Sequence, residues 1–309
     1  GVAFWRPEWC LGQMRLKGCK ADIGLPDISL DHAVKMGAKT LVIGVANQGG
    51  YISDEWSSTL HRAVQLGLDI ASGLHASLLT VSGLKEAATL KGCQLFDVRH
   101  TAETFDVGRG HKRSGKRLLT VGTDTSVGKM FTALAIEKEM SARGVSCSFR
   151  ATGQTGIFIA GEGVSVDAVV ADFISGATEA LSPHNDPEHW DLIEGQGSIH
   201  HASYAGVTLG LIHGAQPDIL VLCHDPGRPH MRGTPSIPIH SLSTTIEACE
   251  RAARLTNENV KTVGVAINTS KMSDSERARE LSAATEETGL PAVDPLREGV
   301  SVIVDQIVS

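Results

Sequence analysis

Apolar positions in the first hundred residues follow two alternating rhythms. Short β-rich runs at 40–45, 68–71 and 94–98 are separated by stretches of helical period at 55–66 and 84–90. Such alternation predicts parallel strands joined by helices. The first run leads into Ala46-Asn47-Gln48-Gly49-Gly50, at the kind of strand end where open α/β sheets place ligands, although a plain glycine turn fits equally well. Periodicity then fails over 101–116, TAETFDVGRGHKRSGK, a polar and increasingly basic stretch that reads as a domain linker. Beyond it, strands are expected at 117–121, 146–151, 190–194, 219–223 and 262–267, and helices at 130–142, 167–180, 242–254 and 274–287. The pattern predicts two α/β domains, residues 1–105 and 106–309, with no internal repeat. On the stretch 167–180, Val166, Val169, Val170, Phe173 and Ala177 share one helical stripe, leaving Asp172 with Ala168, Ser175 and Glu179 on what is ordinarily a solvated face.

Composition narrows the function. A length of 309 residues suits two domains, and 33 glycines suit many strand-to-helix turns. A formal net charge of −7 argues against a broad nucleic-acid or anionic-membrane surface, so any anion site must be local. The six cysteines form no CxxC pair and are expected to be reduced and mostly buried. No apolar run approaches a membrane span and the N-terminus lacks a signal peptide's layout, so a cytoplasmic enzyme is expected. A homo-oligomer is compatible with all of this. The half-formed opening, GVAFWRPEWC without a methionine, raises the expectation of a leading strand before Gly1.

The strongest chemical signal is a phosphate loop. The run 117–121 enters Gly122-Thr123-Asp124-Thr125-Ser126-Val127-Gly128-Lys129, followed by an amphipathic stretch carrying Leu134, Ile136 and Met140. In a strand–loop–helix of this kind, successive backbone N–H groups and the positive helix end converge on a phosphate while the lysine adds a full charge. Five residues separate the two glycines where the commonest loop has four. GTDTSVGK resembles the longer loop of dethiobiotin synthetase, a P-loop enzyme that uses ATP. Asp191-Leu-Ile-Glu194-Gly195-Gln-Gly197 resembles that enzyme's strand-end acidic motif, and Val265-Ala-Ile-Asn268 its base-recognition strand end. Where nucleotide-splitting loops carry a hydroxyl for magnesium, this chain has Met130, a poor ligand for a hard cation. A loop of that type suits a diphosphate that is held but not cleaved, and coenzyme A carries one.

GTDTSVGKM, residues 151–173, EGQGS, GVTLGLIHG and LVLCHDPGRPHMRG together look like the P-loop family long carried as a domain of unknown function. That family includes the D-glutamate N-acetyltransferase of bacterial D-glutamate catabolism. WRPEWCLGQ, LVIGVANQGG and DIASGLH extend the likeness over nearly the whole chain, and Met130 agrees with the family's loop. The resemblance implies a Rossmann-like N-terminal sheet, a C-terminal P-loop NTPase-like doubly wound sheet, and acetyl transfer from acetyl-CoA to the amine of an acidic D-amino acid. A magnesium–ATP-dependent ligase or kinase and a nucleotide-binding switch stand as alternatives.

Acetyl transfer to an amine needs a base, a polarised thioester and donors for the acceptor's carboxylates. Glu194 and His224 follow predicted strands and are candidate bases, with Asp172 a third. Gly122 to Met130, with Asn268, are expected to hold the donor. Gln154, Thr155 and Gly156 form a turn rich in amide donors, and Arg228 and Arg232 can clamp a dicarboxylate in two-point contact. Eight of the thirteen histidines lie between His184 and His240, but no HExxH accompanies them and adjacent residues on an extended segment point opposite ways. No metal is expected; His200, His201, His224 and His230 would be the ligands to test.

Overall fold

The structure, a computed structural model, describes residues 1–45, 50–100 and 103–308. It divides into two compact units, Gly1–Ala102 together with Ile157–Gly161, and Glu103–Gly156 together with Glu162–Ser309. The first unit contains α1 (Val2–Trp5), α2 (Leu30–Lys35), β1 (Thr40–Val42), α3 (Asp54–Gln65), β2 (Asp69–Ser72), α4 (Leu84–Lys91) and β3 (Leu95–Asp97). Its three strands pair in parallel, in the order β1-β2-β3. Ser53 starts α3 by accepting the Trp56 N–H, with Asp54 and Glu55 in the first turn favouring the positive helix end. Leu60 and Val64 of α3 and Leu84 and Ala88 of α4 then close over Ile70 of β2. The first strand ends at Val42 rather than at 45, and Ala46, Asn47, Gln48 and Gly49 of the expected ligand loop lie outside the described residues.

The chain continues through β4 (Lys116–Gly122), α5 (Lys129–Ala142), β5 (Cys147–Arg150), α6 (Gln154–Ala160), α7 (Ile174–Leu181), β6 (Trp190–Ile193), α8 (Ala205–Ala215), β7 (Ile219–His224), the hairpin strands β8 (His230–Met231) and β9 (Thr234–Pro238), α9 (Leu242–Ala253), β10 (Lys261–Ile267), α10 (Asp274–Thr288), β11 (Ala292–Val293) and α11 (Ser301–Val308). Six strands form one parallel sheet in the order β11-β10-β7-β4-β6-β5. Central β4 is buried from Arg117 to Gly122, which is why adjacent Leu118 and Leu119 are both apolar and no exposed polar alternation appears. Ile212 of α8, Leu242 and Cys249 of α9 and Ala284 of α10 pack on Leu119, Val121, Leu222 and Val265. Helix α5 packs on β4 and β5 and touches α11, which covers β10.

The expected helix at 167–180 is broken. Residues Val166–Ala168 and Ala171–Phe173 form separate 3-10 turns, and α7 begins only at Ile174. Val169 and Val170 between the turns both have ψ of 137°, an extended setting that β-branched residues tolerate better than a helix interior. The apolar stripe dissolves accordingly: Val166 is fully buried, whereas Val170 is 66% exposed. Helix α8 is the opposite case, apolar on all sides and hence without the polar face that marks a helix in sequence.

The stretch read as a linker has no regular element over 103–115, yet it is tied down. The N–H groups of Arg109 and Gly110 donate to Glu179 Oε1 at 3.0 and 2.9 Å. The buried Arg113 guanidinium donates to the carbonyls of Ser182 and Gly214, both at 2.7 Å. All six cysteines are unpaired, but only Cys223 and Cys249 are buried; Cys10, Cys93 and Cys147 are half-buried and Cys19 is exposed, so the expectation of mostly buried thiols is corrected. Among the described residues no helix is long and apolar enough to cross a membrane.

Helices α7 and α8 approach closely because α8 carries glycines at the contact. A Cβ at Gly214 would lie 2.3 Å from the Ser175 carbonyl oxygen, whereas one at Gly206 on the same helix would meet open space. Gly214→Ala is expected to destabilise by about 1–3 kcal/mol through overpacking. Gly206→Ala should be neutral or stabilise by up to ~1 kcal/mol, through helix propensity and a less flexible unfolded chain. Urea midpoints at unchanged m values check both; equal midpoints for the two variants would refute the close approach.

Candidate functional site

Because the six strands are parallel, their C-terminal ends share one edge, and sheet order fixes what stands beside what. From β10 to β5 the sequence along that edge is Asn268, His224, the phosphate loop after β4, Glu194, then Thr152 and Gly153. Among the candidate bases, this edge gathers Glu194 and His224 and leaves Asp172 on the exposed 3-10 turn Ala171–Phe173.

The loop is bent by two left-handed residues, Ser126 at φ 53° and Gly128 at φ 108°. Mixed left- and right-handed backbone is how consecutive amides are turned to one side as an anion nest. Helix α5 starts at Lys129 with no side-chain cap, so its first N–H groups remain available to a ligand. Gly122, Thr123, Asp124 and Val127 are buried, Thr125, Gly128 and Met130 half-buried and Ser126 exposed. Lys129 folds back under the loop: its Nζ donates to the carbonyl of Asp124 at 2.9 Å and that of Gly197 at 2.8 Å. Burial lowers this ammonium to about 8, despite the favourable fields of Cys223, Asp124 and Glu194.

Glu194 is also buried, and burial raises its carboxyl to about 7, against the pull of two backbone N–H groups and of Lys129. Those N–H groups are Thr152 and Gly153, which donate to Oε2 at 3.0 and 3.2 Å; Gln196 Nε2 donates to Oε1 at 3.3 Å. The glycines around it are steric requirements, since a Cβ at Gly156 would sit 2.3 Å from Glu194 Oε2 and one at Gly153 2.4 Å from Gln196 Nε2. The segment 154–156, expected as a turn, is the first turn of α6, with Gln154 and Thr155 half-buried. On the other side of the loop, His224 Nδ1 and Thr123 Oγ1 are 2.8 Å apart, and burial lowers the histidine's pKa, favouring neutral imidazole.

Asp124 organises the loop from within. Its Oδ1 accepts the Thr125 N–H at 2.7 Å, and its Oδ2 accepts from Arg228 Nη1 at 2.8 Å and the Arg232 N–H at 2.9 Å. Arg228, expected to clamp a dicarboxylate, instead donates Nη1 to the Thr125 carbonyl, Nη2 to the Ser126 carbonyl and Nε to Asp225 as well. The Arg232 side chain is exposed. The Asn268 N–H donates to the His224 carbonyl, and Asn268 Oδ1 accepts the Ser270 N–H.

The four histidines offered as metal ligands hold different partners. The His200 ring stacks on His240 at 4.2 Å, His224 meets Thr123, and His230 is exposed on β8. His201 Nδ1 accepts the Ser203 N–H, so its Nε2 carries the proton that goes to the Arg232 carbonyl. His200 and His201 lie at a turn and not on an extended segment, yet they do diverge. Among the described residues no group of three or more His, Cys, Asp or Glu side chains is arranged to hold a metal ion. Thr152, Gly153, Gln196 and Asp225 were not singled out from the sequence, although the stretch 151–173, EGQGS and LVLCHDPGRPHMRG contain all four.

Comparison with known proteins follows the same division. The family described as "Domain of unknown function (DUF1611_C) P-loop domain" matches residues 104–304, and the "Domain of unknown function (DUF1611_N) Rossmann-like domain" matches residues 14–101. A D-glutamate N-acetyltransferase of Tritonibacter scottomollicae is 50% identical over 99% of this chain and 92% of its own length. Another D-glutamate N-acetyltransferase, from a Pseudoalteromonas species, is 49% identical over 98% of this chain and 91% of its own. The crystal structure of a DUF1611 family protein from Anabaena variabilis superposes with a TM-score of 0.84 at 36% identity, covering 91% of this chain and 83% of that one. The chain belongs to the DUF1611 family, with a Rossmann-like N-terminal domain and a P-loop C-terminal domain.

Proposed function

We propose that this protein is a cytoplasmic N-acetyltransferase that moves an acetyl group from acetyl-CoA to the amine of D-glutamate. The names of two near-full-length relatives support the reaction and the acceptor. The observation that carries the site assignment is the placement of Lys129, at the start of α5 after the loop that follows β4, beside Glu194, at the end of the adjacent strand β6, one buried cation and one buried carboxylate. The donor set fits a diphosphate: backbone amides from Gly122 to Lys129, the uncapped start of α5 and a buried ammonium. Met130 supplies no magnesium hydroxyl, so the loop holds and orients the donor without splitting its diphosphate. Asn268, at the end of β10, would meet the adenine end.

In this reading Glu194 is the general base. Near neutral pH its carboxylate is basic enough to take the proton released as the amine nitrogen bonds to the acetyl carbon. The carbon–sulfur bond breaks, and the same proton passes to the leaving thiolate. Neutral His224 holds Thr123 at the loop's entry. Donors at the start of α6, from Gln154 to Gly156, face the acceptor, and the exposed Arg232 fork pairs with its side-chain carboxylate.

Lys129→Ala is expected to raise KM for acetyl-CoA about 10- to 100-fold, the worth of a charge-assisted hydrogen bond. Steady-state kinetics at saturating D-glutamate check this, and an unchanged KM would remove the lysine from the donor site. Free thiol should appear with acetyl-CoA and D-glutamate; ADP formation from magnesium–ATP in its place would favour the ligase reading.

Glu194→Gln should lower kcat by about 10²- to 10⁴-fold and leave KM for acetyl-CoA nearly unchanged. In the parent enzyme kcat/KM should rise with pH through about 7, as Glu194 ionises. A pH profile flat between 6 and 8 would be incompatible with Glu194 as base.

The same carboxyl makes stability fall with pH. Its folded-state pKa of about 7 lies above the unfolded value, so the folded state binds the proton more tightly, and stability declines between about pH 4.5 and 7. Glu194→Gln removes that slope. Relative to the parent it should gain up to ~3 kcal/mol across this window in denaturant titrations, and a constant difference between pH 5 and 8 would contradict the assignment.

A further inference from the structure

We infer that Arg228 is a positioning residue: through Asp124 and two loop carbonyls it locks the phosphate loop in its anion-binding shape before any ligand arrives. The inference deepens the proposed donor site and rests on it.

One guanidinium joins four groups. Arg228 Nη1 donates to Asp124 Oδ2 at 2.8 Å and the Thr125 carbonyl at 2.9 Å, Nη2 to the Ser126 carbonyl at 2.8 Å, and Nε to Asp225 Oδ2 at 3.0 Å. Asp225 follows β7 directly, so the arginine is braced against the sheet next to the strand that launches the loop. Its carboxylate partner within the loop is fully buried and also accepts the Arg232 N–H at 2.9 Å on Oδ2 and the Thr125 N–H at 2.7 Å on Oδ1. The lock falls where the backbone is least willing. Ser126, at φ 53°, is one of two non-glycine residues in the left-handed region among those described, and Arg228 fastens its carbonyl. Drawing the Thr125 and Ser126 carbonyls toward Arg228 keeps those oxygens from the anion. A lysine carries the same charge but cannot span four acceptors from one nitrogen.

Two variants test this, Arg228→Ala and Arg228→Lys, each checked for folding by thermal denaturation. Calorimetry with coenzyme A should show affinity reduced about 10- to 100-fold in both, because the competent loop is now a minority state. In steady state KM for acetyl-CoA should rise likewise, while kcat at saturating donor stays within about threefold. Millimolar guanidinium should restore part of the affinity of Arg228→Ala and none of that of Arg228→Lys. In a double-mutant cycle with Asp124→Asn the combined loss should be no greater than the larger single loss, since both substitutions open one lock; additive losses would mean that Arg228 touches the donor itself and would overturn the inference. Hydrogen exchange of residues 122–129 without ligand gives a readout independent of coenzyme A, expected to be about tenfold faster in either variant. If the parent protein binds no coenzyme A, the donor reading falls, and unchanged exchange in Arg228→Lys would then overturn the lock separately. Parent-like affinity in Arg228→Lys, with coenzyme A bound by both, overturns it outright.

Discussion

A buried ammonium among carbonyl oxygens is the constraint on which the site depends. Lys129 has left water, and the penalty is reflected in a pKa drawn down to about 8. Its two carbonyl partners come from Asp124 in its own loop and from Gly197 after β6, so one cation ties the end of β4 to the end of β6. Carbonyl dipoles compensate a full charge less well than an anion does, and the arrangement is therefore electrostatically suited to a phosphate. Glu194, on the strand at the loop's flank, is the only group of opposite formal charge that β6 brings to this edge, and burial has weakened its hold on a negative charge. Cation and carboxyl are each left incompletely neutralised, the first suited to an anion and the second to a proton.

Strand order makes this possible without long-range coincidence. With β4 between β7 and β6, a loop after β4 is flanked by whatever ends those two strands, and the chain places His224 on one and Glu194 on the other. The β5 end then delivers the N–H groups of Thr152 and Gly153 to Glu194, at positions where the glycines leave room for its carboxylate and for Gln196. The turn between β8 and β9 returns to the loop through the Arg232 N–H on Asp124. Parallel topology thus converts five separate stretches of sequence into one edge.

What was legible in the sequence followed from periodicity and from glycine. The strand–loop–helix around Lys129 stood out because a buried strand shows no exposed polar alternation and the loop's glycines are spaced like a phosphate cradle. The five strands expected at 117–121, 146–151, 190–194, 219–223 and 262–267 match β4, β5, β6, β7 and β10 to within a residue, whereas the two-residue edge strand β11 is too short to leave a pattern and was not expected. Side-chain partnerships were not legible. Nothing in the spacing of Arg228 says that its guanidinium turns inward to Asp124, 104 positions earlier, instead of outward to a substrate. The stripe on 166–177 misled because two adjacent β-branched valines, 169 and 170, break a helix that their polarity pattern alone supports. Helix α8 failed for the converse reason, having no polar face to set its period.

As candidate bases in the proposed reaction, Glu194 and His224 differ in what each is already bonded to. His224 shares its Nδ1 with the hydroxyl of Thr123, a loop residue, so withdrawing a proton through that nitrogen would release the loop's entry just when the proposed donor would need it held. Glu194 accepts its hydrogen bonds from two backbone amides and a glutamine, none of which belongs to the loop, so its protonation leaves the phosphate cradle intact. Lys129 sharpens the contrast. Its charge favours ionised Glu194, and pairing the ammonium with a diphosphate would cancel part of that field. The carboxylate would then become more basic once the donor is in place, when a base is needed.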